Sequence, residues 1–122
     1  MTEIQNSKPV YDLEERTFQV AKAVRLFVKT LPKTIANIED GKQLIKASGS
    51  VGGNYIEANE ALSKKDFRLR IKICRKEAKE SRYWLRLLDT YDQPEQEKDR
   101  KDLEEETSEL MNSFGAILQK TK

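Results

Sequence analysis

The sequence predicts an all-α protein, an antiparallel up-down-up-down four-helix bundle. Three observations carry this. Apolar or small residues recur at alternating steps of three and four along four stretches, proline or a capping residue interrupts the pattern between them, and nowhere is there a convincing alternation of period two. At 122 residues the chain has room for one core and not two. We therefore assign a flexible extension to residues 1–11 and one bundle domain to residues 12–122.

The first helix is expected to start after Asp12 as N-cap, with Glu14 and Glu15 in the first turn, where carboxylates suit the positive end of the helix dipole. Leu13, Thr17, Val20, Val24, Phe27 and Leu31 form its stripe, widened by Phe18, Ala21 and Val28, and Pro32 stops it. The second helix is expected over 38–62, with Ile38, Gly41, Ile45, Ser48, Gly52, Tyr55, Asn59 and Leu62 in phase. Its glycines leave two readings, a loop over 48–54 or one continuous helix. Continuity is preferred, because the phase passes through the glycines without slipping. Ser63 and Asp66 make a capping box that starts the third helix. Phe67, Ile71, Cys74, Ala78, Ser81, Leu85 and Leu88 then form the cleanest stripe in the chain. After the polar turn Asp92-Gln93-Pro94, a fourth helix opens with Glu95 and Glu97. It carries Leu103, Thr107, Leu110, Phe114 and Ile117 and ends near Lys120.

Composition speaks against an enzyme. There is no histidine, which removes the commonest general base, the Ser-His and Cys-His pairs and the commonest metal ligand. Glu57, Glu77 and Glu80 can meet between helices, but read more simply as surface or ion-paired acids. Cys74 is the only cysteine and lies on a core stripe, so it reads as a buried thiol in a reducing compartment. The N-terminal residues have no signal-peptide character, and no apolar run suits a membrane span. The expectation is a soluble, cytoplasmic protein with no cofactor, no membrane partner and no evident small-molecule substrate.

The charges are patterned. Net charge is only +2, yet Lys64–Arg86 holds ten basic residues against three acidic ones, a local excess of +7. Arg68, Lys72, Arg75, Lys79, Arg82 and Arg86 repeat the core stripe of the third helix shifted by one residue. They make a ridge about 100° from the core and about 27 Å long. Tyr83 and Trp84 sit beside its far end, where rings can stack on bases or on a protein partner. On the fourth helix Asp99, Asp102, Glu106 and Glu109 form an acidic row. Three readings of the ridge stand open: ion pairing with that row within or between subunits, phosphate binding, or a solvated face. Leu69, Ile73, Tyr83, Trp84 and Tyr91 lie off the main core stripe and are candidate oligomer contacts.

Ser48-Gly-Ser-Val-Gly-Gly-Asn-Tyr-Ile-Glu-Ala58, Lys65-Asp-Phe67 and Arg75-Lys-Glu-Ala-Lys-Glu-Ser-Arg-Tyr-Trp-Leu85 resemble the four-helix-bundle proteins also called 23S ribosomal RNA intervening-sequence proteins. The resemblance spans roughly Tyr11 to Asp89, and the last helix follows the family only in pattern. It implies a homopentamer. A relative in that group, the accessory variability determinant of diversity-generating retroelements, is a basic pentamer that binds nucleic acid and its reverse transcriptase; the present chain departs from it in being nearly neutral. The resemblance also implies a polar motif between helices at Ser50, Asn54, Glu57, Glu77 and Ser81. Two function classes follow: a non-enzymatic, self-assembling structural or adaptor module, or an accessory factor that binds RNA or a nucleic-acid-handling protein through the ridge.

Overall fold

The computed structural model describes residues 12–122; the extension expected over residues 1–11 lies outside the described residues. Four helices follow in order: α1 (Leu13–Lys29), α2 (Ile35–Asn59), α3 (Lys64–Leu87) and α4 (Pro94–Lys120), with no strand among the described residues. α1 and α3 each pack against α2 and α4, so the helices close around one core. Phe27, Leu44, Ile71, Leu85, Leu103, Leu110 and Phe114 fill its centre.

The stripe of α3 is as expected, buried from Ile71 to Leu88 with Phe67 half-buried, and the Ser63 hydroxyl accepts from the Asp66 amide at 3.1 Å. On α1 the stripe from Leu13 to Leu31 is buried, but Asp12 makes no side-chain cap bond and Phe18 points outward at 53% exposure. The helix is widened by Ala23 and Arg16 instead, because it must face α4 as well as α2.

The second helix departs most. It runs unbroken through residues 48–54 but begins at Ile35 and ends at Asn59, three residues earlier at each end than expected. Thr34 supplies the start by accepting from the Asn37 amide at 3.1 Å. Leu62 falls in the link to α3 and is 99% exposed. The buried face is also turned toward α3. Leu44, Ala47, Val51 and Ala58 are in the core, whereas Ile38 and Asn59 are exposed and Ile45 and Gly52 only half-buried. A helix wedged between two neighbours buries a broad face, and a single three/four stripe captures one side of it.

Asn37 ties the turns together. Its side-chain amide donates to the Pro32 carbonyl at 3.0 Å and the Asp89 carbonyl at 2.9 Å, and its Oδ1 accepts from the Asp89 amide at 2.9 Å. One buried side chain thus joins the α1–α2 turn to the α3–α4 turn, with its amide donor and acceptor both engaged. The second turn takes Tyr91 and Asp92 through the left-handed region, each at φ 56°, with the Asp89 carboxylate accepting from the Tyr91 amide at 2.7 Å.

The glycines of α2 differ in what they permit. A Cβ built at Gly52 would lie 3.0 Å from Thr17 Oγ1 and 3.3 Å from Thr17 Cβ, and one at Gly41 would lie 3.1 Å from a Val28 methyl. Thr17 cannot yield easily, since its hydroxyl is bonded to the Leu13 carbonyl at 2.8 Å. Gly53 has nothing within 4 Å. Thermal melts of Gly53→Ala should therefore show a gain of about 1 kcal/mol from helix propensity alone. Gly52→Ala should gain nothing or lose stability. Equal gains at both positions would mean that α1 does not approach α2 this closely.

Candidate nucleic-acid interface

Ile71, Cys74, Ala78, Ser81 and Leu85 anchor α3 in the core, and that anchoring turns the next residue of each step toward α4 and solvent. Lys72, Arg75, Lys79, Arg82 and Arg86 are exposed. Arg68 is half-buried and already engaged, donating to the Leu118 carbonyl at 2.6 Å and to Thr121 Oγ1 at 2.9 Å. The open ridge is therefore five cations long. Midway along it, Lys72, Arg75, Lys76 and Lys79 border a shallow depression floored by Met111, Asn112 and Gly115 of α4, with no acidic residue in its lining. Further along, Arg86 borders a second depression that does contain acids, Glu97 and Glu104.

Ion pairing within the chain, one of the three readings of the ridge, would need the acidic row of α4 to face it, and two members of that row face α1. Glu106 is fully buried and turned to α1, where Arg16 Nη2 donates to it at 2.8 Å and Nε at 3.3 Å. Glu109 lies 3.5 Å from the same guanidinium, and Asp102 pairs with Lys98 one turn back on α4. No ion pair among the described residues joins the ridge to the row. A one-residue offset sets an angle but not a sign: Glu106 and Glu109 lie on the α1 side of α4, and the ridge meets the side of Met111, Asn112 and Gly115. Burial pushes the Glu106 carboxyl above the ordinary carboxylate range, with Arg16 pulling it back and Glu109 adding to the rise.

The polar motif divides. Asn54 Oδ1 accepts from Arg70 Nη1 at 3.0 Å, a bond from α3 to α2, while its amide donates to the Ser50 carbonyl at 2.8 Å. Ser50 Oγ donates to the Lys46 carbonyl and the buried Ser81 to the Glu77 carbonyl, both within their own helices. Glu77 is half-buried; burial first, then the neighbouring Glu80, raise its pKa, against the pull of Ser50 and Lys76. Glu57 is exposed. Cys74 is fully buried, donates to the Val51 carbonyl at 3.3 Å, and burial pushes its thiol up to about 12. A thiol so held is not a nucleophile at neutral pH. No group of three or more His, Cys, Asp or Glu among the described residues is placed to hold a metal ion, and no helix there is long and apolar enough to cross a membrane.

Of the off-stripe apolar residues, Leu69, Tyr83 and Tyr91 are half-exposed, Ile73 is half-buried, and Trp84 packs on the core. Tyr83 stands edge-on to Trp84, with ring centroids 5.1 Å apart and planes at 76°. Sequence reasoning missed a second surface. Phe18, Ala21, Gly49, Gly52, Gly53 and Ile56 line an apolar groove between α1 and α2, with Glu14 and Glu15 also in its lining. Its signal was the glycine cluster itself, adjacent to apolar residues on the outer flank of the α1 stripe.

A family model described as 23S rRNA-intervening sequence protein matches residues 11–116. Among solved structures, the chain is similar to a protein of unknown function from the S23 ribosomal protein family of Bacteroides thetaiotaomicron. The two are 26% identical with a TM-score of 0.74, over 88% of this chain and 98% of that one. No curated protein matches.

Arg16 and Glu106 should behave as a unit. Arg16→Met leaves a carboxylate buried without its main partner and should lower stability by about 3–5 kcal/mol. Adding Glu106→Leu should restore most of that loss in the same denaturant titration. A double variant no more stable than Arg16→Met would refute the pairing.

Proposed function

The chain belongs to the 23S rRNA-intervening sequence protein family, and on that footing we propose that it is a non-enzymatic helical module that binds nucleic acid through the outer face of α3. One observation supports this above the rest. Five ridge cations stand in solvent, and Glu106 and Glu109 of the acidic row are engaged by Arg16 of α1. Among the described residues no ion pair engages any of the five, and only Arg86 borders a depression that contains acids, Glu97 and Glu104. Cations held in line at intervals of a helical turn suit a row of phosphates, and each one engaged releases a condensed counterion. The name carried by the family is consistent with an RNA partner. This reading takes the bundle as antiparallel, up-down-up-down. Asn37 joining both turns and Arg68, at the start of α3, reaching the end of α4 support that. It places the protein in the cytoplasm, where a lone cysteine stays reduced.

A second reading, self-assembly, is favoured by the groove between α1 and α2. An apolar concavity with two acids in its lining lies across the bundle from a basic face. Such a pair of unlike surfaces can join head to tail into a closed ring, for which we propose five copies on the family likeness. Leu69, Ile73, Tyr83, Trp84 and Tyr91 would add contacts. Light scattering at micromolar concentration should find an oligomer that Phe18→Glu dissociates; a monomeric wild type refutes self-assembly.

For nucleic-acid binding the measurement is anisotropy of a labelled RNA at two salt concentrations, alongside a melt. Affinity should fall with salt at a log–log slope of about −0.7 per phosphate neutralised. Replacing Arg75, Lys79 and Arg82 with Gln should make that slope shallower by about 2, leaving the melting temperature unchanged. If wild type does not bind at low salt, or the triple variant melts early, the ridge is a structural feature instead.

A further inference from the structure

We infer that the ridge takes a single strand rather than a duplex and that Tyr83 is its stacking platform, its ring packing on a base while the α3 cations hold the flanking phosphates. This rests on the nucleic-acid reading above and adds to it a ligand class and a specific residue. Three features carry it.

The first is the shape of the ridge. The five open cations lie along one helix, about 21 Å from Lys72 to Arg86. A duplex backbone winds away from a straight line and offers it only a few phosphates in reach. A single strand bends to follow it, as strands do in grooves that pair a basic track with aromatic side chains.

The second is the state of the tyrosine. The residue is 55% exposed, which leaves aromatic surface in water. Trp84, packed on the core, sits against it, with ring centroids 5.1 Å apart and planes at 76°. A ring fixed in this way loses little freedom when a base stacks on it.

The third is what surrounds it. Lys79 and Arg86, four residues before and three after, are its neighbours on the helix surface and both are exposed ridge members. Leu87, at the next position and half-exposed, extends the apolar floor beside it. A base against Tyr83 would therefore have cations on its phosphate side and apolar surface beneath it, the combination that base stacking on a basic groove requires.

The test uses the full chain, a labelled single-stranded RNA oligomer, an abasic oligomer of the same length and charge, and the RNA oligomer annealed to its complement. Wild type should bind the base-bearing strand at least about fivefold more tightly than the abasic one, the effect of one stacked base. Tyr83→Leu should bring the two within error of each other while leaving the salt slope unchanged. Tyr83→Phe should retain the preference. Equal binding of base-bearing and abasic strands by wild type overturns the platform and leaves phosphate binding by the ridge standing. So does a Tyr83→Leu variant that folds and keeps the preference. Tighter binding of the duplex overturns the single-strand assignment. Failure to bind any of the three at low salt overturns the nucleic-acid reading itself.

Discussion

Glu106 is fully buried on α4, and Arg16 of α1 meets its carboxylate with two donors. An ion pair in that position contributes little net stability, since desolvating both charges offsets most of their attraction. Its consequence is geometric. Together with the buried stripe Leu103, Thr107, Leu110 and Phe114 it fixes the rotation of α4, turns Glu106 and Glu109 toward α1, and so gives the α3-facing side of α4 to Met111, Asn112 and Gly115 along the middle of the seam. Had α4 been rotated the other way, the acids would have met Arg75 and Lys79, and the bundle would have a neutral seam there. The exposed basic face of α3 is thus a product of a contact made across the core.

The other helices obey a closeness constraint. α2 packs most extensively on α3, while its glycines admit α1, with Thr17 against Gly52 and Val28 against Gly41. Small residues on α2 trade helix propensity for short interhelical distances. Asn37 locks the two turns to each other. Those features place α3, and its unbroken run from Lys64 to Leu87 is what allows its cations to align.

Much of this was legible in the chain. The three/four steps of α1, α3 and α4 identify most of the buried residues, because each of those helices has a dominant apolar face; at the end of α4 the buried residue is Leu118 and not the expected Ile117, which is half-buried. The continuity of α2 through its glycines followed from unbroken phase. Its boundaries and its exact face did not, because Thr34 caps it from an unremarkable turn and because a helix between two neighbours buries more than one stripe. Asn37 carried no periodic signal at all: a buried asparagine is explained only once both turns are in space. The direction of the acidic row was illegible for a related reason. Spacing reports the angle between a charge and the core on its own helix, whereas pairing depends on which neighbour lies on that side. The groove over Phe18 and Ile56 likewise emerges only when two helices are side by side.

The account stands or falls on whether phosphates meet α3 and not some other face. Backbone amide shifts of the isotopically labelled protein, followed during titration with a short single-stranded RNA, address this residue by residue. The account predicts perturbations running along α3 from Lys72 to Arg86 and reaching Asn112 and Gly115 on α4, with α1 and the groove side of α2 unmoved. Shifts centred on Phe18, Gly53 and Ile56, or spread evenly over the bundle, would contradict it.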